Sequence, residues 1–412
     1  MKTVLFIGLV FPESSSTAAG SRMLQLLSYF KANAYKIVFA SAAQQGVFSD
    51  DLAALIDAQA AIELNNASFD TFISDLNPNL VVFDRFISEE QFGWRVAEKC
   101  PDAIRILDTE DLHCLRTARQ EAFKNNTTFN VDTLIHYDST KRELASIYRC
   151  DLTLIISSVE LELLTNHFGV SAGILLELPF LLPNISANEI KDRLAFEDRI
   201  DFMTIGNFKH EPNWQSVVYL KKTLWPLIRK QLPTARLLVY GAYPTQKVND
   251  LHNEKEGFIV KGRAENAHRA IEAARVLLAP LQFGAGLKGK LIEAMQNGTP
   301  AVTTSIGAEG MYGDMEWNGF IEDNPVEFAN KAVKLYTDKP CWLVAQQNGM
   351  NIVNKRFDIN NWSLKFKQTL DELQSNLIQH RTHNVIGNLL QHHTLQSTKY
   401  LSKWIEEKNS DD

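Results

Sequence analysis

Residues 283–311 read FGAGLKGKLIEAMQNGTPAVTTSIGAEGM, a glycine-broken loop that carries two lysines into a short helix with one carboxylate and then into an apolar strand. Glycines let a backbone approach a ligand closely, and the free N–H groups of a helix N-terminus attract anions. Lys288 and Lys290 add charge at the same end, and Glu293 lies one helical turn further in. An acid at that place can accept hydrogen bonds from two vicinal hydroxyls of a ribose. Diphosphate followed by ribose describes a nucleoside diphosphate lying across the end of a strand.

A second cluster of reactive types stands in DTEDLHCLRTAR, residues 108–119. His113 is placed to orient or deprotonate an acceptor hydroxyl, with Asp111 or Glu110 favouring its charged form, and Arg116 or Arg119 can meet a phosphate or carboxylate. A lone histidine at a strand end is as often a packing or capping residue, and both readings stand. The chain has no Asp-x-Asp, so the departing charge of a diphosphate falls to lysine, arginine and helix dipoles, and no metal ligands are expected. The four cysteines are scattered without CxxC spacing, as in a reduced cytosolic protein. The tail histidines, His380, His383, His392 and His393, have mixed spacing that suits a solvated helix better than a metal site.

Both clusters need a scaffold that brings strand ends together. Short, continuously apolar runs alternate with amphipathic segments along the chain, as strands buried on both faces of a parallel sheet require. The runs in the first half are 3–10, 35–41, 79–86, 103–111, 151–158 and 173–180. Those in the second are 201–208, 235–243, 257–264, 274–284 and 299–310. Between them, a proline- and asparagine-rich charged stretch breaks the pattern. The expectation is α/β, with two Rossmann-like doubly wound domains facing a cleft. Its parts are an N-terminal domain at 1–182, a linker at 183–199, a second domain at 200–358 and C-terminal helices with a tail at 359–412. At 412 residues a division into two domains is also what core size suggests.

Composition narrows the partners. Apolar content of 45% and charged content of 22% are those of a globular protein, and a net charge of −7 disfavours nucleic acid as a partner. The opening MKTVLFIGLVFPESSS reads as a first strand rather than a signal peptide, and nothing reaches the roughly 18 apolar residues of a spanning helix. A cytoplasmic protein, at most peripheral to a membrane, is expected.

The run PLQFGAGLKGKLIEAMQNGTPAVTTSIGAEGM resembles the donor segment of GT-B glycosyltransferases, particularly those like family 4. IGNFKHEPNWQSV, at 205–217, resembles the opening of their donor domain, and DTEDLHCLRTAR their acceptor-side loop. The resemblance covers the chain to about residue 375. It implies a hexosyltransferase that uses a UDP-, GDP- or dTDP-sugar and a glycan or glycoconjugate acceptor, with retention and without a metal or other cofactor. Residue by residue, it implies that Glu293 binds ribose and that Gly284, Ala285, Gly286, Leu287, Lys288 and Lys290 cradle the diphosphate. Gly206 and Asn207 then line the opposite wall, Arg263 meets the base or diphosphate, and Gly20, Ser21 and Arg22 close onto the phosphates. Lys288 joins His113, Asp111 and Glu110 as the catalytic set. Two departures stand out: Ala285 occupies the place of a second glutamate, and Asn207, Glu211 and Pro212 stand where an arginine and a lysine are common. A nucleotide-sugar epimerase of the same fold and a non-catalytic nucleotide-binding subunit are the alternatives.

Overall fold

The computed structural model describes residues 1–410, apart from the side chains of 394–396 and 409–410. Two parallel sheets form the frame. The first contains β1 (Thr3–Gly8), β2 (Lys36–Ser41), β3 (Ala58–Ala61), β4 (Leu80–Asp84), β5 (Ile104–Asp108), β6 (Leu152–Ile155) and β7 (Leu175–Glu177). Its order is β3-β2-β1-β4-β5-β6-β7. The second contains β8 (Ile200–Ile205), β9 (Leu237–Tyr240), β10 (Phe258–Gly262), β11 (Ala274–Ala279), β12 (Ala301–Thr303) and β13 (Gly319–Ile321), in the order β10-β9-β8-β11-β12-β13. Each order reverses direction once, between β1 and β4 and between β8 and β11. At such a switch point the loops leaving the two strands diverge and open a crevice.

The interior strands are apolar because both their faces are covered. Val4, Phe6, Leu80, Val82 and Ile106 pack on one side of the first sheet, and Leu5, Ile7, Val81, Phe83 and Leu107 on the other. Register follows the alternation, with Val4 beside Leu80 and Leu80 beside Ile104. The second sheet is built likewise around Phe202, Val239, Val276 and Leu278 on one face and Met203, Leu277 and Ala279 on the other. The edge strands β3 and β13, whose residues are only partly buried or exposed, are absent from the sequence expectation: AQAA and GFI lack an apolar run.

The chain crosses between the sheets twice, and the crossings lie side by side. Leu182 bridges to Asp358, with Leu182 N donating to Phe357 O at 2.8 Å and Ile359 N to Leu182 O at 2.9 Å. The break in the sequence pattern contains a short α-helix, Ala187–Lys191, started by a capping box between Ser186 and Glu189, and a 3-10 turn at Phe196–Asp198. Beyond the second crossing, helix Ile359–His383 inserts Phe366, Leu370 and Leu373 into the first sheet's core. Arg381 then pairs with Asp151 at 2.7 Å. Helix Val385–Ser410 then passes to the opposite face of the first domain and packs on helices Arg85–Lys99 and Asp138–Arg149, where Gln391 donates to Arg149 O at 2.9 Å and Glu406 pairs with Arg95. The expected tail is thus a strap around the first domain, while 411–412 lie outside the described residues. Of its histidines, His380 meets the Asp151 carbonyl at 2.8 Å. No helix among the described residues is long and apolar enough to cross a membrane.

Candidate active site

The two switch points face each other across a cavity of about 460 Å³. Three of the helices that begin at its wall are Ala18–Ala32 after β1, Glu211–Tyr219 after β8 and Gly289–Gln296 after β11. The first and third nearly touch, since a Cβ added at Gly289 would sit 2.6 Å from Ala18 Cβ. Each presents unsatisfied backbone N–H groups and the positive end of a helix dipole. Together they make a site for a multiply charged anion.

The loop between β11 and its helix lies where the sequence places it. Gly284 and Gly286 adopt φ of 153° and 63°, conformations that residues with a Cβ rarely take. Lys288 folds back over the loop, donating to Gly286 O at 2.6 Å and Ala285 O at 3.3 Å, which occupies two of its three donors. Burial lowers its pKa, against the pull of Glu309 and Glu160. Lys290 Nζ donates to Asn213 Oδ1 at 2.7 Å, and burial lowers it to about 8 despite Glu293. Gly206 is required by close approach: a Cβ there would meet Asn213 Cγ at 2.7 Å and Lys290 Nζ at 2.9 Å. Asn207 forms the adjoining wall, its carbonyl held by Asn213 Nδ2 at 3.0 Å. Glu293 faces the cavity and makes no side-chain hydrogen bond to the protein. Burial pushes its carboxyl up to about 7 against the opposing charge of Lys290.

Three sequence expectations change. Gly20, Ser21 and Arg22 do not line the cavity, because Thr17 caps the helix that contains them and a Cβ at Gly20 would run into the Glu13 backbone at 2.4 Å. Ser21 Oγ donates to Ser14 O at 3.3 Å. Arg22 is 1% exposed and committed inward: Nε and Nη2 hold Asp108 at 2.8–3.1 Å, and Nη1 donates to Leu178 O at 2.6 Å. The stretch that lines the cavity is instead Ser14 through Ala19. Arg263 does reach the wall, but it also crosses the cleft to Ser15 Oγ at 2.6 Å and stacks on Phe48 at 4.1 Å.

His113 is the third correction. Burial, reinforced by Arg116 and Arg85, drives its pKa down to about 4 although Asp111 opposes this, so the imidazole is neutral. Asp111 is engaged by Arg116, and its Oδ1 lies 3.6 Å from His113 Nε2. Burial would raise the Asp111 carboxyl, yet Arg116 above all holds it below the usual range. Glu110 behaves in the opposite way: burial, then the neighbouring Asp108, push it well above a normal carboxyl. Its Oε1 is buried without a partner, and its φ of 62° is strained for a non-glycine residue. A neutral imidazole and a carboxyl pushed toward its neutral form therefore face the glycine loop from the first domain.

Sequence reading missed Arg85 and His210, and it named Arg119 as able to meet a phosphate or carboxylate without its partner. Arg85, at the end of β4 with φ of 66°, faces the cavity beside Asp84 at 3.5 Å. His210 lies on the opposite wall. Arg119 spans the cleft, donating to both Glu309 oxygens at 2.7 and 2.8 Å and to Gly284 O at 2.8 Å. No local pattern marks these contacts, and only the positions of Arg85 and His210 just after strands hint at them. Among the described residues, no group of three or more His, Cys, Asp or Glu side chains is arranged to hold a metal.

Comparison with known proteins agrees with the geometry. Residues 199–338 match a family model described as glycosyl transferases group 1. No curated protein matches the chain. Sucrose-phosphate synthase from Thermosynechococcus elongatus superposes with a TM-score of 0.68 at 15% identity, covering 91% of this chain and 100% of that one. A TarM variant from S. aureus, solved with fondaparinux, alpha-GlcNAc-glycerol and UDP, gives 0.69 at 10% identity over 90% and 99%. HepE from Anabaena, solved with UDP and glucose, gives 0.66 at 13% identity over 90% and 100%.

Proposed function

We propose that this chain, which has the GT-B fold and a second domain matched by the group 1 glycosyl transferase model, moves a sugar from a nucleoside diphosphate to an acceptor hydroxyl. The observation that carries this reading is the meeting of three helix N-termini around one cavity, with Lys288, Lys290 and the unpartnered Glu293 on a single short helix and its approach. UDP is the favoured nucleotide, since the similar TarM and HepE structures hold it. The acceptor is a glycan or glycoconjugate, and the location is cytoplasmic with peripheral membrane contact allowed. Oligomeric state plays no part in this reading.

In the reaction, the bond from the anomeric carbon to the β-phosphate oxygen breaks and its electron pair leaves on the diphosphate. Lys288, Lys290 and the helix N-termini stabilise that charge where it develops, in a site with little water to screen it. The acceptor oxygen forms the new bond, and its proton passes to the leaving phosphate or to the neutral His113 imidazole. Glu110, whose burial favours the neutral form, can donate to the sugar or acceptor when protonated. This charge inventory supports transfer without a divalent metal. Retention of anomeric configuration belongs to the same reading, and proton NMR of the product tests it.

The match to group 1 glycosyl transferases favours neither alternative; of the first-domain carboxyls an epimerase would need free to exchange protons, Asp111 is held by Arg116 and Glu110 is left without a partner on Oε1. Isothermal titration with UDP, GDP and dTDP tests the nucleotide assignment: UDP should bind most tightly, and absence of heat with all three would remove the donor site.

A further inference from the structure

One buried carboxylate joins the two halves of the cleft without lining it. Glu160, 1% exposed, lies on helix Ser158–Glu162 after β6 of the first domain. Its Oε1 accepts from Leu112 N at 3.1 Å and from Gly286 N at 2.8 Å. Leu112 immediately precedes helix His113–Lys124, so one oxygen ties the backbone at the start of the acceptor-side helix to the middle of the diphosphate loop. The fit at this point is close: a Cβ on Gly286 would lie 2.8 Å from Asp111 Cβ and 3.5 Å from Ile156 Cγ2. Ile156, from the same first-domain segment, belongs to the apolar cluster of Leu287 and Leu291. Where the resemblance expects a carboxylate on the loop itself the chain has Ala285, and the carboxylate that reaches the loop comes from the opposite domain.

We propose that Glu160 is a positioning residue that fixes the diphosphate loop against the acceptor-side helix, so that the donor site is fully formed only while the two domains are closed on each other. The inference rests on the donor-site reading above. Through Leu112 and Gly286, Glu160 sets the separation between the His113 side of the cleft and Lys288, the two groups that must address opposite ends of the breaking bond. A buried N–H that loses its acceptor carries its full desolvation cost, so releasing two of them frees the loop to relax. Burial, together with Asp111, raises the Glu160 carboxyl to about 8, against the two N–H donors and Lys288. The neutral acid that results at neutral pH still accepts both hydrogen bonds through its carbonyl oxygen. An amide should therefore replace it.

Three variants test this: Glu160→Ala, Glu160→Asp, which is one methylene too short to reach both donors, and Glu160→Gln. Hydrogen exchange in the ligand-free full-length protein should quicken at least tenfold at both Leu112 and 285–288 in the Ala and Asp variants, and stay near wild type in the Gln variant, while His113 and Cys114, whose N–H groups are held by Glu143, change less. With UDP as probe, affinity should fall at least fivefold in the Ala and Asp variants. Their kcat for turnover of the UDP-sugar should fall by more than affinity does, and Gln should restore both. If Ala does not fold, the Asp variant carries the test. Unchanged exchange at the loop, or an Asp variant with wild-type kcat, would overturn the proposal. A wild-type protein that ignores UDP but shows the paired exchange effect would instead overturn the donor reading and leave the Glu160 contact standing.

Discussion

Replacing Glu293 by glutamine removes the charge from the one carboxylate on the donor helix that no protein group engages. In the proposed complex the ionised side chain accepts two hydrogen bonds from a ribose, whereas the amide keeps a single acceptor. Hydrogen bonds to a charged group contribute about 1.5–3 kcal/mol, so affinity should fall roughly 10- to 150-fold. The raised pKa of about 7 adds a signature. Binding of a UDP-sugar, whose diphosphate does not titrate near neutrality, should strengthen from pH 6, where about a tenth of the side chains are ionised, to pH 8, where most are. The Gln variant should lack that slope. In the ligand-free protein the sign is reversed. The folded pKa lies above the ordinary carboxyl value of 4.5, so the stability contributed by the neutral form is fully present below about 4.5 and is lost as pH rises through about 7. Titration calorimetry at three pH values measures the binding slope. Equal affinity of folded wild type and variant at pH 8 would refute the ribose assignment.

His113→Ala should reduce transfer by roughly 10² to 10⁴-fold, the range for a lost acid or base, with UDP affinity unchanged by calorimetry; normal transfer would return His113 to a packing role against Phe86, 5.5 Å away. Arg22→Gln leaves Asp108 buried and uncompensated, which should cost about 3–5 kcal/mol in urea denaturation. An unchanged midpoint accompanied by lost UDP binding would restore Arg22 to the donor site. Turnover should persist in EDTA, and loss that manganese or magnesium reverses would contradict the charge inventory of Lys288, Lys290 and the helix N-termini.

What could be read in advance follows the range of the interaction involved. Buried central strands announce themselves because both faces need apolar residues, while the short edge strands Ala58–Ala61 and Gly319–Ile321 carry no such demand. The glycine loop was legible as a unit because its glycines, lysines and Glu293 stand within one strand–loop–helix segment. Arg22 was misassigned because its partner Asp108 lies 86 positions away, and the Arg–Asp pair forms only once β5 is beside β4 and β1. Glu160 and the Arg119–Glu309 pair stayed invisible for the same reason, since their partners stand 126 and 190 positions along the chain. The charge state of His113 was misjudged because neighbouring acids in sequence suggested attraction, whereas desolvation and Arg116 dominate in the folded site.

The central claim is turnover of a nucleotide sugar, and the most direct measurement is nucleoside diphosphate release from a panel of UDP-, GDP- and dTDP-sugars, with and without a mixed glycan acceptor pool. The account predicts release from at least one UDP-sugar, accelerated by acceptor and abolished or strongly reduced in Glu293→Gln. No release from any member by folded protein, or release that Glu293→Gln leaves unaltered, would contradict it.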